Sequence, residues 1–150
     1  MLDLARAQKR PFLVIHFDAG HKASLHTNYF PAKEAYDIRE VLDMATYFSG
    51  GGTLFEPALD LSRDTISDRK EFSKSDIIFI TDGLCSVRDE WLKEYVAWKK
   101  TNNVKIYSIL INSYVNNVAS LEEFSDSVTV LSDLRQSPAD NLALTIFSQM

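Results

Sequence analysis

Apolar positions follow two different periods along the chain. A nearly continuous apolar run of strand length occurs at 12–17, and two further strands are predicted at 76–83, which ends in polar residues, and at 104–111. Such runs are typical of strands that are covered on both faces. Elsewhere apolar residues recur every three or four positions, which indicates amphipathic helices at 35–48, 54–66 and 88–102. Strands that alternate with helices predict an α/β fold, with a doubly wound, mainly parallel sheet and helices on both of its faces.

Shorter segments complete this pattern within a single predicted domain, 1–150. Residues 2–10 indicate a helix that ends before Pro11, and 23–30 alternates apolar and polar residues like an antiparallel edge strand in a hairpin. The remaining predictions are a helix around 118–124, a strand at 127–131 and a terminal helix from Ser137 or Pro138.

Two of the helices carry apolar stripes that we expect to face the core. The helix at 88–102 presents Trp91, Tyr95 and Trp98 on one side. The helix at 35–48 carries a similar stripe, made of Ile38, Val41, Leu42, Ala45 and Phe48.

Composition narrows the class of protein. The net charge of −5 argues weakly against a nucleic-acid or anionic-membrane partner. No apolar stretch approaches the roughly 20 residues that a bilayer span requires. The segment at 1–12 lacks the order of charges of a signal peptide, and the single cysteine, Cys85, excludes an internal disulfide. We therefore expect a cytoplasmic protein without a membrane span.

Three of the five glycines are consecutive, at Gly50, Gly51 and Gly52, and Thr53 follows them. The sequence leaves several interpretations open. Thr53 and Glu56 match a capping box at the start of the next helix, with Pro57 in its first turn. The loop could instead hold a phosphate on its N–H groups, although no P-loop lysine follows. The Thr53 hydroxyl could also face a bound cation.

Asp82 and Gly83 end the second apolar strand. Ligand sites of α/β sheets lie outside the carboxyl ends of the strands, and the glycine loop is expected to open at the same edge. A carboxylate there suits a hard cation such as Mg²⁺. The alternative is a plain Asp-Gly turn.

The histidines and the cysteine show no sequence pattern that indicates a binding or catalytic site. His16 is predicted to be a hydrogen-bonded core residue, His21 and His26 lie near the hairpin turn without metal-ligand spacing, and Cys85 is expected to be small and buried. No Ser-His-Asp or paired-carboxylate arrangement is evident, so we expect a protein that is not an enzyme. The alternative is an α/β enzyme domain that binds a small molecule or phosphate through the loop from Gly50 to Thr53 and Asp82.

Together, "FLVIHF" with its hairpin, "FSGGGTLFEPAL" and "DIIFITDG" resemble the von Willebrand factor A (VWA) domain, and most closely its intracellular bacterial CoxE- and ViaA-type branch. The resemblance implies a metal-ion-dependent adhesion site for Mg²⁺ or Mn²⁺, with Thr53 and Asp82 as ligands within a loop formed by Gly50, Gly51, Gly52 and Gly83. It also implies a protein partner that offers an acidic side chain, and work alongside a MoxR-type AAA+ ATPase in chaperone or assembly tasks.

The principal ligands of that family come from an Asp-x-Ser-x-Ser motif after a central first strand, and this sequence has no such motif. The missing strand, loop and start of a helix amount to about 25 residues at usual element lengths. We therefore expect an N-terminally truncated domain with a partial, weakly binding site. Because the central strand would be absent, we also expect the flanking strands to pair with each other or to drive self-association.

Overall fold

A computed structural model describes residues 1–32, 35–83, 85–111 and 118–131. Its elements group into two compact units, Met1–Lys74 and Ser75–Met150. The first unit contains α1 (Leu2–Ala7), β1 (Phe12–His16), β2 (His26–Phe30), α2 (Ile38–Thr46) and α3 (Glu56–Asp68), with 3-10 turns at Lys22–Ser24 and Lys70–Phe72. The second contains β3 (Ile77–Thr81), α4 (Asp89–Thr101), β4 (Ile106–Ile111), α5 (Ala119–Glu122) and β5 (Ser127–Leu131).

The strands of the first unit form the predicted antiparallel hairpin. The register runs from Phe12 opposite Phe30 to His16 opposite His26. The second strand is shorter than expected because Lys22–Ser24 forms a 3-10 turn. All five residues of β1 are only half-buried, whereas the apolar run predicted a strand covered on both faces. One face of β2 buries Asn28 and Phe30, so a polar amide occupies a position that alternation assigns to the core.

Helix α1 ends earlier than the predicted helix at 2–10. Lys9 has a left-handed backbone, with φ of 54°. The Arg10 N–H donates to the Ala5 carbonyl and the Lys9 N–H to that of Arg6, which is the double hydrogen bond of a Schellman motif. The helix is therefore closed by its own backbone three residues before Pro11.

Helix α2 contradicts the prediction that its apolar stripe faces the core. Ile38 is 66% exposed, Leu42 55% and Phe48 87%, and none of the helix residues is buried. The opposite side of the helix meets β2 through Glu40 and Asp43, whose carboxylates accept hydrogen bonds from Asn28. Polar contacts therefore attach α2 to the hairpin and leave Ile38, Leu42 and Phe48 of its apolar stripe facing solvent, while Val41 is half-buried.

The second unit is a parallel sheet flanked by helices, with the strand order β3-β4-β5. Helix α4 buries Trp91 and Tyr95 as the sequence predicted, whereas Trp98 is half-buried. The rings of Trp91 and Tyr95 stack 4.7 Å apart. The strand predicted at 127–131 has the bounds of β5. The buried apolar side chains of this unit include Phe79, Ile106, Ile109, Leu110, Leu121 and Phe124.

The α/β class is confirmed, but the single predicted sheet is found as two. Among the described strands, β1 pairs with β2 alone and β3 with β4 alone, so β1 and β3 are not paired with each other. The predicted terminal helix from Ser137 or Pro138 lies outside the described residues. Within the described segments, no helix has both the length and the apolarity that crossing a bilayer requires.

Candidate functional site

The glycine loop rests on a turn at the carboxyl end of β1. The Ser49 hydroxyl donates to Asp18 Oδ2 at 2.9 Å, and the Leu54 N–H donates to the Asp18 carbonyl at 3.2 Å. Asp18 Oδ1 accepts from the Gly20 N–H at 2.6 Å, which fixes the carboxylate in its own turn. Asp18 thus holds the loop at both of its ends.

This contact explains one of the three consecutive glycines. A Cβ on Gly51 would lie 2.9 Å from Asp18 Oδ2 and 3.0 Å from Asp18 Cβ, which is too close for any side chain. The other two have room: a Cβ on Gly50 would lie 3.9 Å from Phe48, and one on Gly52 would lie 3.5 Å from Ala19 Cβ. Close approach to Asp18, rather than a left-handed backbone, requires glycine at Gly51, because none of the described glycines has a positive φ.

The predicted capping box at Thr53 and Glu56 is not formed. Helix α3 begins at Glu56, its N-cap is Phe55, and no side chain caps it. Glu56 therefore occupies the first helical position rather than the third, and Pro57 lies in the first turn as predicted. Buried Phe55 and Leu59 hold the helix start in place, so packing sets where the helix begins. Half-buried Thr53 precedes the helix without capping it.

Asp82 lies immediately after β3 in the second unit, and its side chain is exposed. The turn that follows is closed by buried Thr81, whose hydroxyl donates to the Gly83 carbonyl at 3.1 Å and accepts from the Gly83 N–H at 3.2 Å. Asp82 is thereby directed away from the core at the carboxyl end of the strand. The loop residues Gly50 to Thr53 belong to the first unit and Asp82 with Gly83 to the second.

The oxygen atoms of Thr53 and Asp82 suit Mg²⁺ or Mn²⁺ in their chemistry, because both cations take hydroxyl and carboxylate ligands. Two side chains are few for a metal centre. Across the described parts of both units, no group of three or more His, Cys, Asp or Glu side chains is placed to hold a metal ion.

A second polar cluster lies between the hairpin and α2, and sequence reasoning did not find it. We call it the histidine cluster; its members are His16, His26, Asn28, Glu40, Asp43 and Tyr47. The amide of Asn28, which is 1% exposed, donates to Glu40 Oε1 at 3.0 Å and to Asp43 Oδ2 at 2.7 Å. The same Asp43 oxygen lies 2.7 Å from His26 Nε2, and Asn28 Oδ1 lies 2.8 Å from His16 Nε2.

These contacts determine which ring nitrogens carry protons. Because carboxylates only accept, the Asn28 nitrogen must face Glu40 and Asp43, which leaves its oxygen for His16. His16 and His26 therefore both donate from Nε2. The hydrogen bonds from Asn28 and His26 hold the pKa of Asp43 below its usual value.

The three rings of the cluster lie against one another. The Tyr47 ring stacks on His26 at 4.2 Å with an interplanar angle of 12°, and lies 4.8 Å from the His16 ring. The prediction that His16 is hydrogen-bonded is confirmed, although its side chain is half-buried rather than buried. Cys85 is likewise half-buried instead of buried.

A signal for the histidine cluster was present in the sequence. In a hairpin that pairs Phe12 with Phe30, antiparallel register places His16 opposite His26. The role of Asp18 had no such signal, because it depends on a loop more than thirty residues away.

Comparison with known proteins gives relatives but no family. No family model and no solved structure matches the chain. Two uncharacterized proteins of Methanocaldococcus jannaschii are similar to it. MJ0811 is 29% identical over 146 residues, which are 97% of this chain and 32% of that protein. MJ0077 is 31% identical over 142 residues, which are 95% of this chain and 33% of that protein. The chain thus spans about a third of the length of these relatives.

Proposed function

We propose that this chain is a non-enzymatic, VWA-like protein-interaction module with a partial metal-ion-dependent adhesion site. Thr53 and Asp82 are its proposed ligands for Mg²⁺ or Mn²⁺. The proposal rests on the family resemblance of the hairpin, the glycine loop and the strand that ends in Asp82. It is supported by the α/β class and by the exposed carboxylate at the carboxyl end of β3.

The observation that carries the proposal is the fixed glycine loop. Asp18 holds the loop at Ser49 and Leu54, and Thr53 does not cap α3. The interpretation of Thr53 as a capping residue therefore loses its basis. A loop that is fixed before a ligand arrives binds that ligand with less loss of conformational entropy.

The partner follows from the chemistry of a partial site. A cation with two protein ligands retains open positions, which a carboxylate of a second protein can fill. By family analogy we propose a partner that offers an acidic side chain, a MoxR-type AAA+ ATPase as the associated machine, and a cytoplasmic location.

Calorimetric titration with Mg²⁺ and with Mn²⁺ tests the metal site. We expect binding weaker than micromolar in the parent protein and no measurable binding in the Thr53→Ala or Asp82→Ala variants. Thr27→Ala and Asp89→Ala are matched controls, since both alter exposed residues of the same types outside the proposed site. Micromolar affinity in the parent, or unchanged binding in both site variants, would contradict the partial site.

Measuring the binding of the proposed ATPase partner tests whether the chain is a protein-interaction module. Binding to the ATPase should require a divalent cation, should be lost in Asp82→Ala and should persist in Asp89→Ala. In the same preparations, hydrolase and phosphatase substrates should show no turnover. Turnover that depends on the glycine loop and Asp82 would instead favour an α/β enzyme domain.

We further propose that the chain self-associates through strand edges. Among the described strands, the outer edges of β1 and β3 lack a pairing strand, and β3 has neither the proline nor the lysine that commonly protects an edge. Light scattering should reveal a dimer or larger species. A monomer at every accessible concentration would refute this part of the proposal.

A further inference from the structure

The segment that leads from α2 into the glycine loop is held at two successive points. Tyr47, the C-cap residue of α2, stacks on His26 and also contacts His16. Two residues later, Ser49 donates to Asp18. His16 is the last residue of β1 and Asp18 lies in the turn after it, so the end of one strand and its turn hold the start of the loop.

The first of these two attachments contains two imidazole side chains, those of His16 and His26. The titratable and charged side chains that face the histidine pair come from every element packed against it: His16 from β1, His26 from β2, and Glu40, Asp43 and Tyr47 from α2. Glu40 and Asp43 accept from the same amide nitrogen, so two negative charges lie close together. Arg39 does not neutralise them, because its guanidinium bonds to Asp37.

A proton added to Nδ1 of His26 improves each contact of that ring. Its hydrogen bond to Asp43 becomes charge-assisted on both sides, and the imidazolium lies against the face of Tyr47 as a cation on an aromatic ring. The excess negative charge of Glu40 and Asp43 is also reduced. A proton on both rings would bring two positive charges to within about 5.4 Å of each other.

We propose that the histidine cluster is a proton-sensitive clamp on the glycine loop, which tightens when the histidine pair takes up one proton. Tyr47 transmits the change from His26 to the segment that carries Ser49 and, beyond it, Thr53. The inference rests on the proposed function in one respect only, that the loop has a ligand to hold. It adds regulation by pH to that site.

Amide hydrogen exchange of Leu54, whose N–H donates to the Asp18 carbonyl at the end of the loop, tests the clamp when it is measured by NMR on the full chain with metal chelated. The measurement compares about pH 7.5 with about pH 5.5, which lie within the range where imidazoles take up protons, and corrects for intrinsic exchange. We expect protection to rise about threefold or more at the lower pH, as for one hydrogen bond that gains charge. Unchanged or reduced protection would overturn the proposal.

Three variants separate the clamp from general stability. His26→Gln should abolish the rise in protection, whereas His21→Gln, which alters an exposed histidine outside the cluster, should retain it. Tyr47→Leu should leave the imidazole NMR titration in place but uncouple it from protection of the Leu54 amide. This variant keeps the proposal testable even if His26→Gln unfolds. A full rise in protection in Tyr47→Leu, or in a folded His26→Gln, would refute the clamp.

Because metal is absent from this measurement, its outcome is independent of the metal titrations. A protein that binds no Mg²⁺ can still show the pH response, and failure of the clamp leaves the metal site untouched. The two proposals can therefore fail separately.

Discussion

Replacing Gly51 by alanine introduces a methyl group where the glycine loop approaches Asp18. The added Cβ would lie 2.9 Å from Asp18 Oδ2, 3.0 Å from its Cγ and 3.0 Å from its Cβ. Rotation of the carboxylate alone cannot relieve the contact with Asp18 Cβ, which is fixed by the backbone. Either the loop or the Asp18 turn must move, and the hydrogen bonds to Ser49 and Gly20 are strained or lost.

The expected cost follows from comparison with Gly50→Ala. Both substitutions restrict the unfolded chain, a contribution of about 0.4–1 kcal/mol that cancels in the difference between them. At Gly50 the nearest heavy atom is 3.9 Å away, which is an ordinary contact. At Gly51 the overlap costs about 1–3 kcal/mol, the usual range for overpacking. Gly51→Ala should therefore be less stable than Gly50→Ala by about 1–3 kcal/mol.

Urea denaturation followed by circular dichroism measures this difference. A double-mutant cycle identifies its origin, because Asp18→Gly removes all three atoms that the new methyl group would meet. In that background the difference between the two alanine variants should fall to within about 0.5 kcal/mol. Equal stabilities of Gly50→Ala and Gly51→Ala in the parent protein would refute the explanation that close approach to Asp18 requires glycine at position 51.

Other substitutions probe the remaining contacts by the same denaturation assay. Asn28→Leu should cost about 2–3 kcal/mol, because Glu40 and Asp43 lose their buried donor; a cost below about 0.5 kcal/mol would contradict this. Leu42→Ser should change stability by less than about 0.5 kcal/mol, whereas Leu59→Ala, at a fully buried position, should cost about 2–5 kcal/mol; equal effects would contradict the outward apolar face of α2. Burial raises the pKa of Asp126, but hydrogen bonds from Lys99 and the Ile106 N–H outweigh it and hold that pKa below its usual value. Ionised Asp126 therefore stabilises the fold at neutral pH, and this contribution disappears as pH falls through the lowered pKa. Asp126→Asn should cost about 1–3 kcal/mol near neutral pH and converge with the parent in acid, and a difference independent of pH would contradict this.

Much of the secondary structure follows from the sequence because its cause is local. Successive side chains alternate across a strand and return every three to four residues on a helix, so the apolar period identifies each element. This was sufficient for β5 at its observed bounds, for the buried stripe of α4 and for the antiparallel hairpin. Of the candidate site, the sequence identified the glycine loop and the exposed aspartate after β3.

The sequence-based predictions that were wrong concern properties that depend on contacts between distant parts of the chain. The period of α2 revealed an apolar stripe but not the direction it faces, because that direction depends on the bonds of Asn28 to Glu40 and Asp43. Capping chemistry predicted that α3 starts after Thr53, but the helix begins at Glu56, behind the buried ring of Phe55. A local sequence pattern indicates which structural roles a residue can have. The residues that it contacts in the folded protein determine which of these roles it takes.

The order and kind of the elements, the α/β class and the place of the glycines follow from the amino-acid sequence alone. Tertiary contacts explain why Gly51 is a glycine, which histidines lie in one hydrogen-bonded cluster and which face of α2 meets solvent. Each of these answers requires two segments to meet, as the Asp18 turn meets the loop at Gly51. Contacts between distant segments depend on packing and on the pairing of buried polar groups. Neither of these produces a periodic pattern in the sequence.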